Sequence, residues 1–358
     1  MRKIYRLLIP FVPILITACA ASTPRAEPSS TPAPTSTSEP SPTSTSAPTS
    51  IPTETPPPTV FDTPDFIFQG DDPSVPIVTH NPSSEIQNQY INPGAVLFYD
   101  GKFHMFFNSF TNWPGIIQVG YATSDDGYHW QMAQDAPVFV TDQIPFGGGK
   151  ADVSSAIVTD DGTWAIYFHT VGGGEIGRAT AASPLGPWVV DPNPVLKPTA
   201  DGWDQRGLNW PSIVRDGDEY RMYYGVQTRG GNAIGLATST DGIQWTKYDE
   251  PVLVAEADWE SVKVDRPRVT KSPDGWIMIY QAGLRIEERG IAVSDDGIHW
   301  EKYPANPIFN KDVFPIPNAK TWDTNLLYLN GVYYYFMELG SLSGTDLYLT
   351  THEGTLRK

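Results

Sequence analysis

The feature that most constrains this chain is a pattern written five times along it. An extended apolar run reaches an Asp-Gly or Asn-Gly turn, and an aromatic strand, a loop, a small-residue strand and a tryptophan follow. The turns are Asp100-Gly101, Asp161-Gly162, Asp216-Gly217, Asp274-Gly275 and Asn330-Gly331, spaced 55 to 61 residues apart. Trp130, Trp188, Trp245 and Trp300 keep step at 55 to 58. A period of this length made only of strand-type units describes a closed radial array. The spacing predicts an all-β fold, a five-bladed β-propeller of four-stranded blades.

Each unit reads as strand a, turn, strand b, loop, strand c, turn, strand d. The b strands, such as Phe103 to Phe107 and Tyr220 to Tyr224, carry the aromatic and β-branched residues suited to burial between blades. The c strands, such as Ile234-Gly235-Leu236-Ala237, are small enough for close packing. Between c and d, Ser124-Asp125-Asp126-Gly127, Ser239-Thr240-Asp241-Gly242 and Ser294-Asp295-Asp296-Gly297 read as tight hairpins whose acids are turn chemistry. The fifth unit ends without a strand d. Val75-Pro76-Ile77-Val78 resembles Pro137 to Val140 and Pro251 to Val254, so an N-terminal strand is expected to close the ring. The propeller is placed at residues 61–358.

Residues 1–19 read as a lipoprotein signal peptide: a basic head, a short apolar stretch, and Ile16-Thr17-Ala18-Cys19. Cys19 is the chain's sole cysteine and the expected lipidation site, so no disulfide within the chain is available. Residues 20–60, rich in Ser, Thr and Pro, read as a disordered linker. These features predict a secreted protein anchored by lipid to the outer face of a bacterial membrane, and a monomer. A formal charge of −17 argues against a nucleic-acid partner.

In a propeller the starts of the a strands and the ends of the b strands converge on one face. The first set is Asn92, Asp152, Asn209, Asp265 with Arg266, and Asp323; the second is Asn108, His169, Gly225, Gln281 and Glu338. Polar groups at matched positions suit a water-filled funnel, and they suit carbohydrate better, which needs many hydrogen-bond partners and a carboxyl pair. Five tryptophans outside the repeat, Trp113, Trp203, Trp210, Trp259 and Trp322, are assigned to the same face, where an indole stacks on a sugar ring.

With these elements the chain resembles the five-bladed glycosidases of glycoside hydrolase families 43 and 32. The likeness rests on the repeat, on Ser-x-Asp-Gly-x-x-Trp, and on Ile91-Asn92-Pro93-Gly94, Leu208-Asn209-Trp210-Pro211 and Val264-Asp265-Arg266-Pro267. Those families carry Asp just before the proline in the first and third blades and Glu two residues before it in the fourth, acting as base or nucleophile, supporting acid and general acid. The corresponding residues here are Asn92, Trp210 (with Asn209 beside it) and Asp265. Only Asp265 is a carboxylic acid, and an amide neither takes a proton from water nor attacks an anomeric carbon.

Asp152, Asp323 and Glu338 are therefore candidates for a second carboxylate beside Asp265, with Arg266 holding a neighbour ionised. Asn92, Asn108, His169, Asn209, Trp210, Arg266, Gln281 and Trp322 are the candidate sugar-binding residues. Resemblance to family 130 phosphorylases, which need one acid because phosphate attacks, would make Lys263, Arg266 and Arg268 phosphate ligands. The expectation is an extracellular glycosidase for arabinosyl, xylosyl or fructosyl chains. The alternative is an inactive, membrane-tethered carbohydrate-binding propeller. No catalytic metal or cofactor is expected, although the family resemblance leaves room for a structural calcium.

Overall fold

In a computed structural model, residues 59–172 and 174–357 are described; the expected signal peptide with Cys19 and most of the expected linker lie outside them. The chain forms five four-stranded antiparallel blades. The inner strands are Tyr90–Tyr99, Ala151–Val158, Leu208–Asp216, Val264–Ser272 and Thr324–Leu329. Each pairs with the aromatic b strand that follows its turn. At the outer edge Gln131–Met132, Val189–Val190, Thr246–Lys247 and Glu301–Lys302 complete blades one to four.

The fifth blade is completed from the N-terminal side, as a closed ring requires, but by a different segment from the one expected. Ile67 and Phe68 pair with Thr351 and Thr350 as its strand d. Val78 instead makes a single bridge to Leu347 at the start of strand c. Phe139–Val140 and the bridging Leu196, Leu253 and Phe309 do the same in blades one to four. The likeness between Val75–Val78 and residues 137–140 was real, but it marks this inner bridge. The outer strand is two residues long and half solvated, with Ile67 65% exposed, so it carries no apolar signature to read.

Alternation along strand b builds the core. Successive side chains point to opposite faces of a strand, so each b strand serves both neighbouring blades. Met105 and Phe107 pack toward blade five and Phe106 toward blade two. Met222 and Tyr224 face blade two while Tyr223 faces blade four. Five buried clusters result, one per seam between blades.

The glycines of strand c make room for an aromatic ring of their own blade, a closer cause than the blade-to-blade approach expected. A Cβ on Gly120 would lie 2.2 Å from the Phe107 ring, on Gly177 2.3 Å from Phe168, and on Gly235 2.6 Å from Tyr224.

A hydrogen bond joins each blade to the next near the axis. Asn108 Oδ1 accepts from Val153 N–H at 3.2 Å, Ser155 Oγ from Ile213 N–H at 3.1 Å, and Ser212 Oγ from Val269 N–H at 3.0 Å. Thr270 Oγ1 accepts from Tyr328 N–H at 3.2 Å, and Asn325 Nδ2 donates to Gly94 O at 2.8 Å, closing the circle. The acids between strands c and d cap their turns: Asp126 Oδ1 accepts from Tyr128 and His129 N–H, both at 2.8 Å. Asp241 and Asp296 repeat the arrangement.

Candidate active site

The register brings the two sets of polar residues into one ring. Asn92 pairs with Asn108, Asp152 with His169, Asn209 with Gly225 and Asp265 with Gln281. In blade five Glu338 N–H donates to Asp323 O at 3.0 Å. Just beyond this ring the inner strands of blades one, three and four each carry a bulge. The bulges contain Gly94, Trp210 and Arg266, all with φ between 47° and 49°. Glycine adopts this conformation without steric cost; tryptophan and arginine do so under strain.

A cavity of about 360 Å³ opens at this face. Asn92, Asp152, Asp323, Glu338 and Arg266 supply its polar lining, and Tyr90, Phe110, Trp113, Trp210, Trp322 and Leu342 its apolar walls. Trp113 and Leu342 stand at the mouth, 49% and 84% exposed. Of the five tryptophans assigned to this face, Trp113, Trp210 and Trp322 line the cavity. Trp203 and Trp259 pack in the seams of blades two–three and three–four instead, because their loops fold back onto apolar b strands.

Three carboxyls converge on the cavity and differ in surroundings. Asp323 pairs with the buried Arg268 guanidinium and also accepts from Thr324 N–H at 3.0 Å. Glu338 Oε2 accepts from Asp323 N–H at 3.1 Å. Burial, then the neighbouring Asp323 charge, push Glu338 up to about 8. Asp152 Oδ1 accepts from Asn108 Nδ2 at 2.7 Å, and Asn92 Nδ2 approaches its other oxygen at 3.4 Å. Burial foremost, and Asp323 next, raise Asp152 well above the ordinary range against the opposing pull of Arg268. Burial and the neighbouring carboxyl therefore disfavour charge on Asp152 and Glu338, and Glu338 keeps its proton at neutral pH, while Asp323 is the carboxyl that contacts the arginine.

Asp265, expected to lead the chemistry, is not among the residues lining the cavity. It is 1% exposed and its carboxylate is directed at blade three. There Oδ2 accepts from Asn232 Nδ2 at 2.6 Å with Lys263 Nζ 3.7 Å away, while Oδ1 accepts from Arg266 N–H at 2.9 Å. A Cβ at Gly225 would fall 2.0 Å from Oδ1, so the glycine there leaves space for this acid. Its partners hold it there: Asn232, Lys263 and the Arg266 N–H engage the carboxylate, whereas Asn92, at the same place before the bulge of blade one, lines the cavity.

The remaining candidates form a supporting layer. Asn108, His169, Asn209 and Gln281 are buried behind the cavity wall. His169 packs against Trp210 with ring centroids 5.1 Å apart, and burial lowers it to about 3, so its imidazole is neutral. Arg268, read as a phosphate ligand, is spent on Asp323 and the Thr324 carbonyl, and Lys263 lies beside Asp265. Tyr90, Phe110, Thr111, Asn112 and Leu342 also line the cavity, unforeseen because they sit in loops or at strand ends with no repeat to mark them. Among the described residues, no cluster of His, Cys, Asp and Glu is arranged to hold a metal ion.

The family model described as beta-1,4-mannooligosaccharide phosphorylase, glycoside hydrolase family 130, matches residues 211–353. Over its later blades, then, the chain is similar to family 130. That is a better match than family 43 or 32, with which the propeller is also shared. A beta-1,2-mannobiose phosphorylase of Thermoanaerobacter sp. is 26% identical over 102 residues, covering 24% of this chain and 34% of that protein. A fructan 1-exohydrolase of Aegilops speltoides is 28% identical over 181 residues, covering 46% of this chain and 29% of its own length. The chain thus spans about a third of each of these curated relatives. Among solved structures, a glycosyl hydrolase of Bacteroides ovatus superposes with a TM-score of 0.60 at 16% identity, covering 82% of this chain and 96% of that one. The shared fold is the five-bladed propeller.

Proposed function

We propose that this chain is a hydrolytic glycosidase that removes or cuts near the end of an oligosaccharide, with Glu338 as proton donor and Asp323 as the ionised carboxylate. One observation carries the reading: Asp152 of blade two and Asp323 and Glu338 of blade five meet in a single aromatic-walled cavity of sugar-binding size. Glu338 donates its proton to the glycosidic oxygen as the bond to the anomeric carbon breaks. Asp323, paired with Arg268, stabilises the positive charge developing at that carbon and either attacks it or takes the proton of the attacking water. Asp152, positioned by Asn108 and Asn92, bonds a sugar hydroxyl.

Although the matched family model is that of a phosphorylase, the charge balance favours water as the attacking group. Phosphate would enter a cavity lined by three carboxyls and one arginine, with Arg268 and Lys263 engaged elsewhere. A dianion in that setting lacks the cations it needs. Extracellular placement through a lipid on Cys19 belongs to the same proposal and is tested by palmitate labelling that disappears in Cys19→Ser.

The catalytic test incubates the purified chain with mannooligosaccharides, fructans, arabinan and xylan, with and without phosphate. Reducing sugar should appear without phosphate, and Glu338→Gln should lower kcat about 10²- to 10⁴-fold. Phosphate-dependent release of a sugar phosphate would overturn the hydrolytic reading. Binding of these glycans with no cleavage would instead support the tethered binding protein, a reading favoured by the amides Asn92 and Asn209 standing where the related glycosidases place acids or their neighbours.

A further inference from the structure

Arg266 is the cationic group in the cavity lining, and nothing in the acid chemistry above uses it. Its backbone sits in the left-handed region at φ 47°, strained for arginine, where blade one has Gly94 in the equivalent bulge. The guanidinium is fixed on two sides: Nη1 donates to the buried Gln281 Oε1 at 2.6 Å, and the plane lies 4.1 Å over the Trp210 ring. Trp210 carries the same left-handed strain at φ 48° and is backed by His169. Behind the turn, Asp265 Oδ1 accepts from the Arg266 N–H, and its Oδ2 accepts from Asn232 Nδ2. Arg266 thus rests on a layer of buried side chains.

For all this support, Arg266 forms no ion pair among the described residues, whereas Arg178, Arg215, Arg221, Arg268 and Arg357 each have a carboxylate partner. Its Nε is buried without a hydrogen-bond partner. A positioned guanidinium facing a cavity without its own anion is a site for an anion brought by the ligand.

We infer that Arg266 is a specificity residue reading the carboxylate of an acidic sugar, a uronate, while its ring stacks on the aromatic wall, and that Asp265 is the positioning residue that presents it. A planar, singly charged carboxylate matches one guanidinium; a phosphate dianion beside three acids does not. The inference rests on the sugar-site reading above and does not depend on turnover.

The test is therefore one of binding. The chain is titrated calorimetrically with glucuronate, galacturonate and mannuronate, and in parallel with glucose, galactose and mannose. At least one acid should bind about tenfold or more tightly than its neutral parent. The preference should vanish in Arg266→Gln and weaken in Asp265→Ala. It should return in Asp265→Asn, whose amide oxygen still accepts the Arg266 N–H. Circular dichroism and a cooperative thermal unfolding transition would show that the variants are folded.

No preference in any of the three pairs, or one that survives Arg266→Gln, overturns the inference. So does inorganic phosphate displacing the bound uronate and binding more tightly than it. Neutral substrates cleaved without acid preference would sink this inference and leave the glycosidase standing. Acid preference without cleavage would do the reverse.

Discussion

Replacing Glu338 by glutamine should change how the protein's stability responds to pH, and this needs no knowledge of the substrate. Burial, reinforced by the Asp323 charge, raises the carboxyl from its ordinary 4.5 to about 8. In the unfolded chain it ionises near the ordinary value. Between those limits the folded state holds a proton that the unfolded state has released. The associated stability is complete below about pH 4.5 and is lost as pH rises through about 8. Each pH unit in the window removes about 1.4 kcal/mol, so roughly 3 kcal/mol disappears between pH 5 and pH 7. Glutamine has the same shape and accepts the Asp323 N–H without titrating. Urea unfolding of both proteins at pH 5, 6 and 7 should therefore show the wild-type advantage over Glu338→Gln shrinking by about that amount. Parallel curves, differing by a constant within about 0.5 kcal/mol, would mean that Glu338 is ionised in the folded protein. The assignment of Glu338 as proton donor would then be withdrawn.

Three further outcomes are expected. Arg268→Leu leaves the buried Asp323 charge without its partner and should cost about 3–5 kcal/mol in chemical denaturation, part of it regained in the Arg268→Leu, Asp323→Asn double variant. Gly225→Ala, at a residue with no backbone strain, should destabilise by about 1–3 kcal/mol because its Cβ would meet Asp265 Oδ1 at 2.0 Å; a neutral result would show that Asp265 moves freely. Ser212→Ala strips the Val269 N–H of its acceptor at the seam between blades three and four and should cost about 1–3 kcal/mol, with faster amide exchange at Val269 than in wild type.

The amino-acid sequence by itself determined the blade count, the order of strands and the ring of residues at the funnel. All three follow from a repeat: Asp-Gly turns end strands, aromatic b strands alternate between two seams, and equal positions in equal blades must converge. The same logic matched Asn92 with Asn108 and Asp152 with His169 before any coordinates. It also read Asp126, Asp241 and Asp296 as turn residues.

What the tertiary structure decided lies in departures from the repeat. Asp265 is drawn away from the cavity by Asn232 and Lys263, while Asn92 at the matching place in blade one lines it, and those contacts leave no mark in a pattern of apolar spacing. Ile67–Phe68 was missed as the closing strand because two half-solvated residues carry no pattern. The raised state of Glu338 depends on its burial beside Asp323, and Asp323 in turn is paired with Arg268, a residue 55 positions away in the chain. Periodicity fixes which residues share a ring, while charge state and direction depend on distances of a few ångströms between blades.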